Sequence, residues 1–256
     1  MKKIVLLLLS ALLLLFTGCN NGTSLKEIRD RGVLRVGTKV DAKQFGFINP
    51  DTNELEGMEI DLARALAKTI LGDENAVEFV GTNAKTRGPL LNNGGVDLII
   101  ATFTITEERK KLFNFSSPYY VDQIGFMVKN DSPCKSLADM QGLTIGVAQS
   151  GTANGALTAE SKNQSIEISI KEFASYPEVK AALLNGEIDA FSVDKSILRS
   201  YLDDQTMILD FGFNDQHYGI VTKLDNKILA KHVNDFVANI KKNGKLDEII
   251  TKWQLK

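Results

Sequence analysis

Apolar positions change period several times along this chain, and each change marks an element. Lys2 and Lys3 precede an apolar run from Ile4 to Phe16 broken by Ser10. That is the charged start and short apolar stretch of a secretory signal, too short to span a bilayer comfortably. From Ser24 onward, helical and strand spacings alternate. Ser24 and Glu27 form a capping-box pair for a short helix that Gly32 ends. Val33–Thr38 reads as a strand, and Leu62, Ala63, Leu66, Ala67 and Ile70 recur at helical spacing until Gly72. Val77–Val80 is a second strand, Pro89–Asn92 lies in a helix, and Val96–Ala101 is a near-continuous apolar strand.

A second series begins near Phe126. Ser136 and Asp139 cap a short helix, Thr144–Ala148 is a strand, and Thr152 caps the helix after it. Ile166–Ile170 alternates as a strand; Pro177 suits a first helical turn, Gly186 a helix end, and Asp189–Val193 another strand. Asn226–Lys242 gathers Ile228, Leu229, Val233, Phe236, Val237 and Ile240 on one face, with Gly244 beyond. Strands alternating with helices predict βαβ units and mainly parallel sheets.

One internal echo predicts two lobes. Leu90-Leu91-Asn92-Asn93-Gly94-Gly95-Val96-Asp97 returns one residue shorter as Leu183-Leu184-Asn185-Gly186-Glu187-Ile188-Asp189. Each time a helix stops at glycine and a strand begins at aspartate. Open α/β sheets bind ligands at the carboxyl ends of their strands. Those ends are Thr102–Thr106 in the first series and Val193–Asp194 in the second, so facing lobes place both at one cleft.

Composition narrows the chemistry. The 256 residues carry 30 basic and 32 acidic side chains with no long basic run, which argues against a nucleic-acid partner. Two cysteines cannot build a disulfide scaffold or a four-ligand zinc site, and His217 and His232 lack metal-ligand spacing. No metal or cofactor is expected. Cys134 has no histidine near it in sequence to activate it and reads as a bystander thiol.

The strand ends supply polar groups. Ala101–Arg109 ends a strand in hydroxyls and starts a helix at Thr106, so free N–H groups and Arg109 suit a carboxylate; ordinary capping with a solvated Arg109 fits as well. Gln149-Ser150-Gly151-Thr152 is a similar junction in the second lobe, without the spaced glycines of a dinucleotide fingerprint. Asp194 either pairs with an ammonium or caps the helix after it. Lys39 and Arg87 stand at the carboxyl-end level of lobe 1 or, taken singly, are surface charges.

Phe16-Thr17-Gly18-Cys19 resembles the lipobox of bacterial lipoproteins, with Phe16 where leucine is usual. The resemblance implies cleavage after residue 18, lipid on Cys19, a polar tether over 19–24 and a membrane anchor; the alternative is an ordinary cleaved signal. Val36-Gly37-Thr38-Lys39, Gly57-Met58-Glu59-Ile60-Asp61-Leu62-Ala63, Ala101–Arg109 and Phe115-Ser116-Ser117-Pro118-Tyr119-Tyr120 resemble the family 3 solute-binding proteins of bacterial polar amino-acid ABC importers. The likeness continues in order through Gly146-Val147-Ala148-Gln149, Asp189–Asp194 and Tyr218-Gly219-Ile220. Asn83–Pro89 and Asp194–Leu198 resemble the aspartate/glutamate binders most closely.

The resemblance implies a type II periplasmic-binding-protein fold: two mixed, mainly parallel sheets flanked by helices. It implies lobe 1 over 25–118 and 219–256, lobe 2 over 124–213, and a hinge at 119–123 and 214–218. It implies an extracytoplasmic, monomeric, non-enzymatic subunit that delivers its ligand to an ABC permease and its ATPase. Arg109 is expected to take the α-carboxylate, helped by N–H groups at Thr104 and near Thr152 and Ala153. Asp194, the Thr104 hydroxyl and the Thr102 carbonyl are expected to hold the α-ammonium, with Tyr218 at the site and Lys39 and Arg87 facing the side chain. Relatives that bind neutral amino acids often carry an acid at the position of Lys39 and an aromatic near Ala42, and this chain has neither.

Charge counting then selects aspartate or glutamate. Arg109, Lys39 and Arg87 against Asp194 leave two positive charges over. Desolvating an unmatched partner of a buried pair costs roughly 3–5 kcal/mol, roughly 100-fold or more in affinity. The alternatives are another polar amino acid, such as glutamine or cysteine, or a dehydratase-like enzyme on the same fold. The enzyme would need a general acid aimed at the ligand, and Asp194 is already committed to the ammonium.

Overall fold

The computed structural model describes residues 24–255. The expected signal over 1–18, Cys19 and the tether as far as residue 23 lie outside the described residues. Among the described residues no helix is long and apolar enough to cross a membrane.

The chain begins with α1 (Leu25–Arg31) and β1 (Leu34–Thr38), then forms a small antiparallel sheet from β2 (Asp41–Ala42), β3 (Gly46–Ile48) and β4 (Leu55–Glu56). It continues through α2 (Met58–Leu71), β5 (Val77–Gly81), α3 (Arg87–Asn92), β6 (Leu98–Ile100), α4 (Glu107–Lys110) and β7 (Phe113–Phe115). The long strand β8 (Tyr120–Lys129) crosses to lobe 2. There a 3-10 turn (Ala138–Met140) precedes β9 (Thr144–Ala148), α5 (Ala153–Gln164), β10 (Ser169–Phe173) and α6 (Tyr176–Asn185). After β11 (Ala190–Asp194), α7 (Lys195–Arg199) and β12 (Thr206–Ile208), strand β13 (Phe213–Tyr218) returns to β14 (Val221–Lys223), α8 (Lys227–Lys242) and α9 (Lys245–Lys252).

The lobes repeat one topology. Lobe 1 orders its strands β5-β1-β6-β14-β7, with β14 antiparallel to its neighbours; lobe 2 orders them β10-β9-β11-β8-β12, with β8 antiparallel. Each odd strand follows a crossing between lobes. The crossings pair antiparallel, Tyr218 opposite Tyr120 and Gln216 opposite Asp122. This is the two-lobe α/β architecture the sequence predicts.

The echo has a physical basis. Asp97 and Asp189 each stand just before the third strand of the parallel trio and clamp the start of the first. The Asp97 N–H donates to the Arg35 carbonyl at 2.9 Å while its carboxylate accepts from the Arg35 N–H at 2.8 Å. Asp189 does the same to Thr144, both bonds at 2.8 Å. Leu98 and Ile100 face the core under α2 and α8, whereas Ile99 faces the other core with Val96, Ala101 and Val221. A strand buried on both faces is why that stretch reads as a continuous apolar run.

Three local expectations change. The strand expected over Ile166–Ile170 begins at Ser169, because Ile166 is still closing α5: Ser165 is left-handed at φ +57°, and the Ile166 N–H bonds the Ser161 carbonyl. Thr152 precedes α5 without capping it; its hydroxyl donates to Gln216 Oε1 at 2.7 Å. At the 3-10 turn Asp139 is the acceptor, taking the N–H groups of Lys135 and Ser136 and the Ser136 hydroxyl.

Asp97 also pairs with Arg31, a contact Asp189 lacks in its place. Asp97→Ala is therefore expected to lower unfolding free energy by about 1–3 kcal/mol and Asp189→Ala by less. Urea midpoints measure both, and the opposite ranking would contradict the clamp.

Candidate functional site

The crevice between the lobes is lined from lobe 1 by Arg87, Thr102 and Thr104 and from lobe 2 by Ala148, Gly151–Ala153, Tyr176 and Ser192–Asp194. Its volume is about 10 Å³, room for a single water. Contacts across the gap hold the lobes together. Arg109 Nη2 reaches the Ser150 carbonyl at 3.0 Å, the Lys43 N–H meets Ser200 Oγ at 2.9 Å, and the Tyr201 hydroxyl meets the Asp41 carbonyl at 3.0 Å. The conformation is closed.

Of the two readings of Asp194, its neighbours rule out the helix cap. It precedes α7 yet makes no side-chain cap. Asp122, from β8, accepts from the Ser196 N–H at 3.0 Å and from the Ser196 hydroxyl instead. Asp194 is thereby left facing the crevice, 5% exposed, with the Tyr218 hydroxyl donating to it. Burial pushes its carboxyl up to about 7, and the Asp122 charge adds to that; the Tyr218 hydrogen bond and the Arg87 and Arg109 charges oppose it.

Arg109 does not lie out in solvent. Thr106 caps α4 by accepting the Arg109 N–H at 3.2 Å, and the guanidinium folds back so that Nη1 meets the Thr104 carbonyl at 2.8 Å. The guanidinium stands 4.9 Å from the Phe103 ring centre, and Arg87 stands 3.9 Å from it. Arg87 is buried and gives Nη1 to the carbonyls of Ala101 and Thr102 at 2.5 and 3.0 Å. Burial lowers the pKa of both, Arg109 to about 9, with Arg87's charge contributing.

Lys39 is 1% exposed. Its Nζ lies 2.6 Å from Asp41 Oδ1 and 4.5 Å from the Tyr176 ring centre, so an aromatic from lobe 2 covers it. Beyond this mutual contact neither Lys39 Nζ nor Asp41 Oδ1 has another hydrogen-bond partner among the described residues. Burial holds the ammonium below its usual range, against the pull of Asp41. Of the residues singled out in the sequence, Arg87, Thr102, Thr104, Thr152, Ala153 and Asp194 line the crevice. Lys39 stands against Tyr176, Arg109 bridges the lobes, and Tyr218 supports Asp194 from the returning crossing.

Sequence reasoning missed two carboxylates, and they change the charge count. Asp41 is one. A bend at Val40, between β1 and β2, brings it against Lys39, a turn that residue types alone did not mark. Glu59 is the other, fully buried in the first turn of α2 and three residues before Leu62 on the same face. Its Oε1 accepts the Tyr119 hydroxyl at 2.5 Å and the Thr102 N–H at 2.6 Å. Thr102 sits there at φ +44°, an uncommon left-handed backbone for a threonine, at a cost of order 1–3 kcal/mol. Helix α2 starts where it does because Gly57, at φ +138°, lets the carbonyls of Gln44 and Phe45 take its first N–H groups; a Cβ there would lie 2.1 Å from the Phe45 oxygen. Three cations, two of them buried, thus share this region with three carboxyl groups, and Lys39 and Asp41 form an ion pair. Among the described residues no cluster of histidine, cysteine or acidic side chains could hold a metal.

A family model, "Bacterial extracellular solute-binding proteins, family 3", matches residues 34–256. The ABC transporter glutamine-binding protein GlnH of Bacillus subtilis (strain 168) is 36% identical across 99% of this chain and 97% of its own. A glutamine-binding protein of Geobacillus stearothermophilus is 40% identical across 84% and 82%. Among solved structures, an ancestral arginine-binding protein bound to glutamine superposes with a TM-score of 0.78 and 33% identity, covering 87% of this chain and 98% of that one.

The raised pKa of Asp194 has a consequence for stability. In the unfolded chain its carboxyl ionises near 3.9, whereas in the ligand-free fold it keeps its proton to about 7. Between those values the folded state binds more protons, so stability falls as pH rises. Melting temperature without ligand should drop from pH 5 to pH 7 and level off above, and Asp194→Asn should reduce that drop. Equal slopes would mean that Asp194 is ionised in the fold.

Proposed function

The chain belongs to family 3 of the bacterial extracellular solute-binding proteins, and on that footing we propose that its ligand is glutamine or a closely similar neutral amino acid. It is the extracytoplasmic amino-acid-binding component of an ABC importer, and not an enzyme. The observation that carries the ligand is the Lys39–Asp41 pair at 2.6 Å. Counting Asp194 alone, the site held two surplus cations and called for aspartate or glutamate. Counting Asp41 and Glu59 as well, the positive and negative groups balance, and a zwitterion with an uncharged side chain leaves no charge unmatched.

The same pair suits an amide. A side-chain amide offers a carbonyl acceptor and two N–H donors, whereas a carboxylate only accepts. Lys39 supplies donors and Asp41 Oδ1 an acceptor, and beyond their mutual contact neither atom has another hydrogen-bond partner among the described residues. The names of two relatives, both glutamine-binding proteins, agree with this reading.

At the other end of the ligand, Arg109 takes the α-carboxylate in exchange for the carbonyls of Thr104 and Ser150, aided by the N–H groups of Thr104 and of Thr152–Ala153 at the start of α5. Asp194, the Thr104 hydroxyl and the Thr102 carbonyl take the α-ammonium. The crossings over 119–123 and 214–218 act as the hinge between lobe 1 (25–118 and 219–256) and lobe 2 (124–213). Because the α-carboxylate and the α-ammonium each meet groups from both lobes, ligand binding favours closure, and the closed form is presented to the permease. Lipid on Cys19 tethers the mature protein, as a monomer, to the membrane.

Titration calorimetry of purified protein with the common amino acids is expected to rank glutamine first, with aspartate and glutamate weaker by tenfold or more. Asp41→Asn removes one negative charge and should shift the glutamate-to-glutamine affinity ratio toward glutamate by about tenfold, about 1.4 kcal/mol. An unchanged ratio would remove Asp41 from the argument. Arg109→Ala and Asp194→Ala are each expected to abolish measurable binding of every amino acid. Wild-type affinity in either would move the ligand elsewhere.

A further inference from the structure

Glu59 lies under the crevice floor without lining it. One of its oxygens accepts two hydrogen bonds, from Tyr119 and from the Thr102 N–H, while Oε2 has no partner among the described residues. We propose that Glu59 is a specificity-determining residue acting through its charge: ionised, it favours a neutral amino acid, and protonated, it admits an acidic one. The inference rests on the glutamine reading above and extends it.

The geometry gives the carboxyl two stable forms. Oε1 can accept from Tyr119 and Thr102 whether the group is ionised or not, so the floor at Thr102 keeps its shape. The proton has a place on Oε2, where it displaces no hydrogen bond. The charged and titratable groups that face Glu59 are Lys39 at the end of β1, Arg87 on α3 and Tyr119 at the start of the first crossing. Burial favours the neutral form and those three partners the ionised one, and the balance brings the carboxyl to about 7. Lys39 carries its own counter-charge, Asp41. Arg87 is bonded to the carbonyls of Ala101 and Thr102, the latter being the residue whose N–H Glu59 holds. Removing the Glu59 charge therefore leaves Arg87 with a surplus that a second carboxylate on the ligand can match.

Asp194 titrates in the same range, but it faces the α-ammonium that glutamine and glutamate share. In either complex that ammonium holds Asp194 ionised, so the proton Asp194 gives up on binding is common to both ligands and cancels in their ratio, although its charge also acts on Arg87. A glutamate side chain, free near 4.3, stays ionised throughout. Lys39, whose ammonium burial also holds below its usual range, would move the ratio in the same direction, so the difference between the wild-type and Glu59→Gln ratios is what reports Glu59.

Calorimetry at pH 6.0 and 8.0 in matched ionic strength tests this on the full mature chain. In wild type the glutamine-to-glutamate affinity ratio should fall at least fivefold on going to pH 6.0. In Glu59→Gln it should already be low at pH 8.0 and change less than twofold. A flat wild-type ratio, or a variant that follows the wild-type profile, overturns the proposal. Carbon-13 NMR of side-chain carboxyls in glutamate-labelled wild type needs neither variant nor ligand: Glu59 should titrate near neutrality, and titration below pH 5 overturns the proposal even if Glu59→Gln fails to fold. If neither glutamine nor glutamate binds at pH 8.0, the ligand reading fails separately, and the NMR titration still decides whether Glu59 changes charge.

Discussion

Three cations gathered around one crevice, Lys39 and Arg87 buried and Arg109 partly so, are the constraint on which the rest of this structure depends. Lys39, Arg87 and Arg109 are each costly to desolvate, and each is held by a different device. Arg87 leans on backbone carbonyls and an aromatic face, Arg109 bonds a carbonyl from each lobe, and Lys39 meets Asp41. The left-handed turn at Thr102 belongs to the same solution. It turns one carbonyl toward Arg87 while Glu59 holds the freed N–H. Local backbone strain is retained where charged groups must be placed.

The architecture was legible because it is written in local patterns. Capping at Ser24, helix stops at Gly32, Gly72 and Gly186, and the double-faced burial of Leu98–Ile100 need only neighbours in sequence. The repeated helix stop before Asp97 and Asp189 disclosed the two lobes because each aspartate performs one task, clamping the first strand. Parts that need partners from afar were hidden. The strand at Ser169–Phe173 was misplaced because Ile166 serves a helix end. Thr152 was misassigned because its acceptor, Gln216, comes from the second crossing.

The site was half legible for the same reason. Residue types at strand ends brought Arg109, Asp194, Thr102 and Thr104 into view, and the family resemblance gave them roles. The sign of the pocket was not legible, because charge balance is a property of a volume rather than of a motif. Asp41 reaches Lys39 through a bend at Val40, and Glu59 reaches Thr102 across the packing of α2 against the strand ends. Counting cations without those two carboxylates pointed to an acidic ligand; counting all six groups is what supports the proposed neutral one. The freedom of Asp194 was equally a matter of context. A residue just ahead of a helix ordinarily caps it, and only the arrival of Asp122 from β8 takes that task away.

On the proposed reading of the site, closure and selection are one event. Lys39 and Asp41 both belong to lobe 1, but the ring that covers them, Tyr176, belongs to lobe 2. The Asp41 carbonyl receives the Tyr201 hydroxyl from that same lobe. While the lobes are apart, water screens the lysine and a poorly matched ligand costs little. As they close, Tyr176 removes the solvent, and any charge left over must be carried in a medium of low dielectric. A mismatched ligand is therefore penalised mainly in the closed state, which lowers the closed population as well as the affinity. Since a ligand moves a two-state equilibrium only by its differential affinity, discrimination at Lys39 becomes discrimination in how often the closed form exists. A transporter that responds to the closed form thus reads the ligand through its charge, without touching it.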